Sequence, residues 1–180
     1  LTRLVDDLLD LSKIENGKLK FNYCEFAFRP FIENAVEMIR QTHKDHHIRL
    51  MGDADAIICG DPSRIEQVVV NYLTNAIKYS PQSREVHVIT ELVGDQVFVR
   101  VKDFGIGIPK DKQASLFQKH FRVEETSHQF QGMGIGLYIC AEVLTRHKGT
   151  YGVTSNPGEG PEFYFSLPVL PEKPVLSENN

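Results

Sequence analysis

The run Asp61-Pro-Ser-Arg-Ile-Glu-Gln-Val-Val-Val-Asn71-Tyr-Leu-Thr-Asn75-Ala-Ile-Lys78-Tyr79-Ser80-Pro81 carries two messages on one helix. Ile65, Val68, Val69, Leu73, Ala76 and Ile77 recur at three- and four-residue steps, the spacing of an apolar stripe that must be buried. Asp61 stands where a side chain caps a helix, and Pro62 where a missing N–H costs nothing. Pro81 stops the helix by pushing the preceding residue out of helical geometry. Asn71, Asn75 and Lys78 follow one another at helical steps on the other face. Amide oxygens suit magnesium, a hard cation that shares its ligands with phosphates, and Lys adds a compact positive charge. A solvated helix surface could carry the same three residues, so the neighbouring segments must decide.

Downstream, Glu85 to Val93 and Gln96 to Lys102 alternate strongly around Gly94-Asp95, which predicts a hairpin. Asp103-Phe-Gly105-Ile-Gly107-Ile108-Pro109 follows directly: one carboxylate at a strand end, then two glycines that let backbone approach a ligand. A carboxylate accepts hydrogen bonds, and an adenine amino group can donate one. The segment is a poor dinucleotide fingerprint, because Pro109 intervenes and Lys110 replaces the third glycine. Ala114 to Phe117 reads as a short helix, and Arg122 to Gln131 as a polar, aperiodic loop. Gly132-Met133-Gly134-Ile135-Gly136-Leu137 then runs into a helix from about Ile135 to His147, and free N–H groups with a helix dipole make an anion site there. Strands Thr150 to Thr154 and Glu162 to Leu167 complete the domain. No Walker-type phosphate loop occurs anywhere, so a nucleotide must be held in another way.

Upstream, Leu1, Leu4, Val5, Leu8 and Leu11 mark an amphipathic helix through Ile14, closed by Asn16-Gly17. So short a helix must bury its stripe, in a bundle or on the following domain. Lys18 to Phe28 reads as extended, a helix follows Pro30, and Ile48 to Met51 and Ala56 to Cys59 read as strands. Three segments are expected: a helix over 1–17, a main domain over 18–168, and a disordered tail or linker over 169–180. The chain starts without Met and inside a helical pattern, as a piece of a longer protein would.

Composition excludes other classes. With 41% hydrophobic and 24% charged residues, the 180-residue chain is globular, and a net charge of -4 gives no footprint for nucleic acid. Cys24, Cys59 and Cys140 stand far apart and form neither a close pair nor a metal-type spacing, which fits a reducing compartment better than a disulfide framework. No apolar run approaches the roughly 20 residues needed to cross a bilayer. His43, His46 and His47 beside Asp45 tempt a metal assignment, although histidines in a polar loop are more often simply solvated.

The order of these segments resembles the ATP-binding catalytic domain of sensor histidine kinases, of the GHKL superfamily, over nearly the whole chain. Leu4 to Glu15 resembles the second helix of the dimerisation and phosphotransfer hairpin, and Arg64 to Ser80 the asparagine box. Asp103 to Pro109 is similar to the first glycine box, Phe117 to Val123 to the phenylalanine box, Gly132 to Leu137 to the second glycine box, and Gly158 to Phe165 to the last.

The resemblance implies an α+β fold, an α/β sandwich with a mixed sheet covered on one face by helices and preceded by one hairpin helix. It implies Asn71 as a magnesium ligand and Asn75 and Lys78 at the metal or phosphates. Tyr79 would flank the nucleotide, Asp103 would read adenine, and Arg122 would reach the γ-phosphate. Gly105, Gly107, Ile108, Gly132, Gly134, Gly136 and Leu137 would line the nucleotide. ATP and Mg2+ are the implied cofactors. The implied partners are a phosphoacceptor helix, a response-regulator receiver domain and a second copy, in a cytoplasmic portion of a protein anchored in the bacterial inner membrane. The phosphoacceptor histidine would lie upstream of Leu1. Two rivals remain: a GHKL-type hydrolase, opposed by Gln67 where such enzymes carry a glutamate base, and a degenerate signalling module, suggested by His120, Met133 and Pro161 in place of the residues usual for the family.

Overall fold

The stripe of the central helix is buried, and the rest of the fold is arranged around it. The computed structural model describes residues 2–121, 134–156 and 158–171. Their elements are α1 (Thr2–Glu15), β1 (Cys24–Ala27), α2 (Phe28–Thr42), β2 (His47–Met51), β3 (Ile57–Gly60), α3 (Pro62–Tyr79), β4 (Glu85–Val93), β5 (Gln96–Asp103), α4 (Lys110–Gln113), α5 (Gly136–Arg146), β6 (Tyr151–Asn156) and β7 (Gly160–Pro168). Asp61 caps α3 as predicted, its carboxylate accepting from the Arg64 N–H at 3.2 Å.

Five strands form one sheet in the order β2-β4-β5-β7-β6, with β2 parallel to β4 and every other pair antiparallel. Alternation sends Val86 and Val88 of β4 and Val97, Val99 and Val101 of β5 into the core, beneath α2, α3 and α5. Their neighbours His87, Phe98 and Arg100 face the other, partly exposed side. A single hydrophobic face explains why the helices lie on one side only. β1 and β3 pair separately as an antiparallel ribbon, Cys24 opposite Gly60.

Several boundaries differ from the sequence reading. Helix α2 begins at Phe28, before Pro30, because the Phe28 N–H is satisfied by Ala56 O at 2.9 Å and a first-turn proline has no bond to lose. Within Lys18 to Phe28 only Cys24–Ala27 is strand. The short helix lies at Lys110–Gln113, directly behind Pro109, and Ala114 to Phe117 form turns instead. The segment after Pro168 does not leave the domain at once: Val169 bridges Ile58, and the Leu170 N–H bonds to Ile57 O at 2.9 Å. The expected loop from Arg122 to Gln131 and residues 172–180 of the expected tail lie outside the described residues.

Helix α1 ends as its sequence predicts, with Gly17 at φ +63 and the Lys18 N–H on Lys13 O at 2.7 Å. Asp10 and Leu11 are buried on the main domain, whereas Val5, Leu8 and Leu9 remain exposed. Leu1 and the side chain of Leu4, assigned to the same stripe, lie outside the described residues. The helix thus has two working faces, one docked through a carboxylate and one apolar and open.

Candidate nucleotide-binding site

Helix α3 is the spine of the site. Its C-terminal half advances eight residues from Asn71 to Tyr79, a rise of about 12 Å, and a different glycine-rich segment sits on each end of that half. At the Tyr79 end lies the turn after β5. A Cβ on Gly105 would collide with Tyr79 O and stand 3.0 Å from Ser80 Cα, so only glycine allows this approach. At the Asn71 end lies the start of α5, where a Cβ on Gly136 would strike the Asn71 side-chain amide.

Asp103, the last residue of β5, is 1% exposed, and its Oδ1 accepts from the Gly105 N–H at 2.9 Å. Burial pushes its carboxyl up to about 6, against the opposing pull of the Gly105 hydrogen bond and the Lys102 charge. Gly160, at φ +71, presses on the Asp103 backbone, where any Cβ would meet the carbonyl. The Lys102 ammonium donates to Gly160 O at 2.9 Å and fixes the two strands together at that point. A desolvated, well-anchored acceptor of this kind discriminates strongly for a donor, because an unsatisfied partner is expensive to leave behind.

Asn71, on a face that a solvated helix surface could equally carry, is 5% exposed. The arrival of α5 across it explains the difference. Its Oδ1 accepts from Asn75 Nδ2 at 3.0 Å, which orients both amides. An amide oxygen has a second lone pair, so Asn71 fits one oxygen ligand of a magnesium ion whose other ligands are phosphates and water. The leading N–H groups of α5 have no partner within the helix and point to the same end. Gly134 precedes them at φ +66, a conformation that favours glycine. Leu137 packs partly buried against the core, and the Lys78 ammonium lies over the Tyr79 ring at 4.9 Å from its centroid.

Asn71, Asn75, Lys78, Tyr79, Asp103, Gly105, Gly107, Ile108, Gly134, Gly136 and Leu137 are thereby placed along the C-terminal half of one helix and the two segments that meet it. Arg122, Gly132 and Met133 lie outside the described residues. His120 is exposed and at φ +60. The histidine cluster shows no metal geometry: His46 bonds Asp45, His43 bonds Ile39 O, and no three metal-binding side chains meet among the described residues.

Two arrangements escaped the sequence reading. Arg64 Nη1 donates to Asp10 Oδ2 at 2.6 Å and to Gln67 Oε1 at 3.0 Å, and Gln67 Nε2 donates to the same Asp10 oxygen at 3.0 Å. Gln67, one turn before Asn71, is therefore spent on docking α1. Asp7, Asp10, Leu11 and Ile14 are spaced as a second helical face, a signal hidden by the more obvious leucines. His147 is the other case: its Nε2 accepts from the Asp61 N–H at 2.9 Å and its Nδ1 donates to Val143 O at 2.7 Å. It is a structural pin between α5 and the start of α3.

Residues 60–171 match the family model of histidine kinase-, DNA gyrase B-, and HSP90-like ATPases. The chain belongs to this ATPase family. Among curated relatives it is 34% identical over 173 residues to the adaptive-response sensory kinase SasA of Crocosphaera subtropica, and 36% over 176 residues to the non-motile and phage-resistance protein of Caulobacter vibrioides. It is 34% identical over 175 residues to the sensor histidine kinase RcsC of Escherichia coli. Each alignment covers 94% of this chain but only 45%, 21% and 18% of those three proteins, respectively. Among solved structures, the fold matches the Mycobacterial sensor histidine kinase MprB (TM-score 0.72, 24% identity, 83% of this chain and 99% of that one). It also matches full-length ShkA, solved in complex with AMPPNP (TM-score 0.78, 22% identity, 93% of this chain and 35% of that one). The mixed sheet under its helices is the fold of histidine kinase catalytic domains, and ATP is the nucleotide of this ATPase family. No helix among the described residues is long and apolar enough to cross a membrane.

Proposed function

We infer that the chain is the ATP-binding catalytic portion of a sensor histidine kinase, which transfers the γ-phosphate of Mg-ATP to a histidine on an upstream hairpin helix for relay to a response-regulator aspartate. The observation that carries this reading is the pairing of a buried carboxylate beside the C-terminus of α3 with a buried amide at its middle, each with a glycine segment pressed on it. The spacing suits a base at Asp103 and phosphates at Asn71.

Each residue then has a defined task. Asp103 accepts the adenine amino hydrogen, and Tyr79 flanks the nucleotide. Gly105, Gly107 and Ile108 bring backbone against it. Asn71 supplies an oxygen to magnesium, which when bound neutralises phosphate charge and orients the terminal phosphoryl group. Asn75 holds the Asn71 amide, and Lys78 adds positive charge. The α5 N-terminus, with Gly132, Gly134, Gly136 and Leu137, receives the phosphates, and Arg122 reaches the terminal one. Positioning and charge neutralisation are most of what phosphoryl transfer requires of a protein.

A kinase is favoured over a hydrolase because Gln67 cannot serve as a general base and is committed to Asp10 and Arg64. The 1–17 segment belongs to the hairpin in this reading, 18–168 to the catalytic domain, and the remainder to a linker. The full-length protein would pair two copies through the hairpin and sit at the bacterial inner membrane, with this part in the cytoplasm. Calorimetric titration with a non-hydrolysable ATP analogue, with and without magnesium and beside GTP, tests the reading. Magnesium-sensitive, adenine-selective binding is expected, and absence of nucleotide binding would refute it.

A further inference from the structure

We propose that Gln113 and Ser155 are positioning residues for adenine selectivity: together they clamp the turn after Asp103 to the end of β6, so that the carboxylate keeps its aim at the base. The proposal rests on the adenine role inferred for Asp103.

The turn has two anchors. The first is its start, where Asp103 pairs with Val86 in the sheet and is pressed by Gly160. The second is Ile108, which both side chains hold. The Ile108 N–H donates to Ser155 Oγ at 2.9 Å, and Gln113 Nε2 donates to Ile108 O at 3.0 Å. The same Nε2 donates to Ser155 O at 2.9 Å, so both amide hydrogens are used and the amide can be oriented in only one way.

Between the anchors the Phe104 ring meets the His87 ring edge-on at 5.0 Å between centroids, and Gly105 lies against Tyr79 O. Phe104 and Ile106 are exposed, and Gly105 and Gly107 carry no side chain to pack. Gly107, at φ +78, lies against β6, where a Cβ would stand 3.3 Å from Asn156 O and 3.4 Å from Ser155 Oγ. The N–H of Gly105 that orients Asp103 Oδ1 lies inside this span. Loosening Ile108 therefore frees the donor that aims the carboxylate. Ser155 is 7% exposed in β6 and Gln113 closes α4, so three separate elements meet at one peptide. Neither residue touches the reacting atoms, and both act through Ile108 and Gly105.

The test compares ATP with ITP, which carries a 6-oxo group in place of the amino group, on Ser155→Ala, Ser155→Thr and Gln113→Glu. Glu keeps the size of Gln but has no hydrogens to donate, and Thr keeps the hydroxyl in a strand position. Thermal melting of each unliganded variant confirms folding, and the serine pair carries the test if Gln113→Glu does not fold. The expected result is that Ser155→Ala and Gln113→Glu reduce the ATP-over-ITP preference about tenfold, as for one lost hydrogen bond to a charged group, while Ser155→Thr keeps it. ITP affinity itself should change little. An unchanged preference in both Ser155→Ala and Gln113→Glu, or an equal loss for both nucleotides, overturns the proposal, since a merely structural role would weaken them alike. A wild-type protein that binds both nucleotides equally overturns instead the adenine role of Asp103, and this inference falls with it.

Discussion

The two ends of the 71–79 half of α3 hold their key side chains by opposite means. At the Tyr79 end, Asp103 is a charge placed where water is excluded, fixed by backbone from β5, β7 and the turn that follows it. At the Asn71 end the buried group is a neutral amide, fixed by its own helix through Asn75 and covered by the first residue of α5. Burying a charge raises its proton affinity and burying an amide does not, so only the first end should respond to pH. The difference suits the parts of a nucleotide. A base is recognised by a few directional bonds, for which a rigid desolvated acceptor serves best, whereas a triphosphate brings its own charge and is met by helix N–H groups and a cation.

The largest separation of the two ends should come from Asn71→Ala. Phosphotransfer in the full-length protein is expected to fall at least about a hundredfold, because charge on the transferring group is no longer offset in place. The preference for ATP over GTP should survive, and its loss would mean that the ends are not independent. Transfer assayed with labelled ATP reads the first, and competition binding the second.

A smaller effect is expected from Asp103→Asn, which keeps the shape and an acceptor oxygen but removes the charge. ATP affinity should drop about tenfold at pH 7.5, the difference between a charged and a neutral acceptor. The unliganded fold should gain stability. The carboxyl holds its proton more tightly folded, at about 6, than at its ordinary value of 3.8, so stability falls as pH rises through that window. Urea unfolding should therefore show Asp103→Asn more stable than wild type by about 3 kcal/mol at pH 7.5, with the difference nearly gone by about pH 4. By the same sign, wild-type ATP affinity should weaken as pH falls from 7.5 to 5. A flat profile would place the acceptor elsewhere.

The smallest effect on nucleotide should come from Arg64→Ala, at the opposite end of α3 from Tyr79. The change leaves Asp10 with only the Gln67 amide and should release α1, at a cost of about 1–3 kcal/mol for a partly buried pair. Hydrogen exchange of the α1 amides should accelerate while ATP affinity shifts by less than about twofold. A large change in ATP binding would show that docking of α1 is coupled to the site.

Much of the fold was legible because its signals are local. The stripe of α3, the Asp61 cap, the Gly94 hairpin and the Gly17 stop are each decided within a few residues by helix or strand period and by turn chemistry. The short helix was misplaced because Pro109 starts a turn that periodicity over four residues cannot register. The site was legible as residue types: two amides and a lysine on one helix face, an aspartate before two glycines, and a triple-glycine run before a helix.

Residue order alone tells which elements form, which of their faces are apolar, and which side chains carry chemistry fit for a nucleotide. Folding is what makes Asn71 buried rather than solvated, occupies Gln67 with Asp10 and Arg64, and docks α1 by its carboxylate face with Val5, Leu8 and Leu9 left open. It also decided the proton affinity of Asp103, which depends on Gly105, Lys102 and the water excluded around them. The physical reason is the range of the forces involved. Backbone preference and periodicity act within a turn or two of chain, whereas desolvation and polar pairing depend on groups that only folding brings together, 54 residues apart for Asp10 and Arg64.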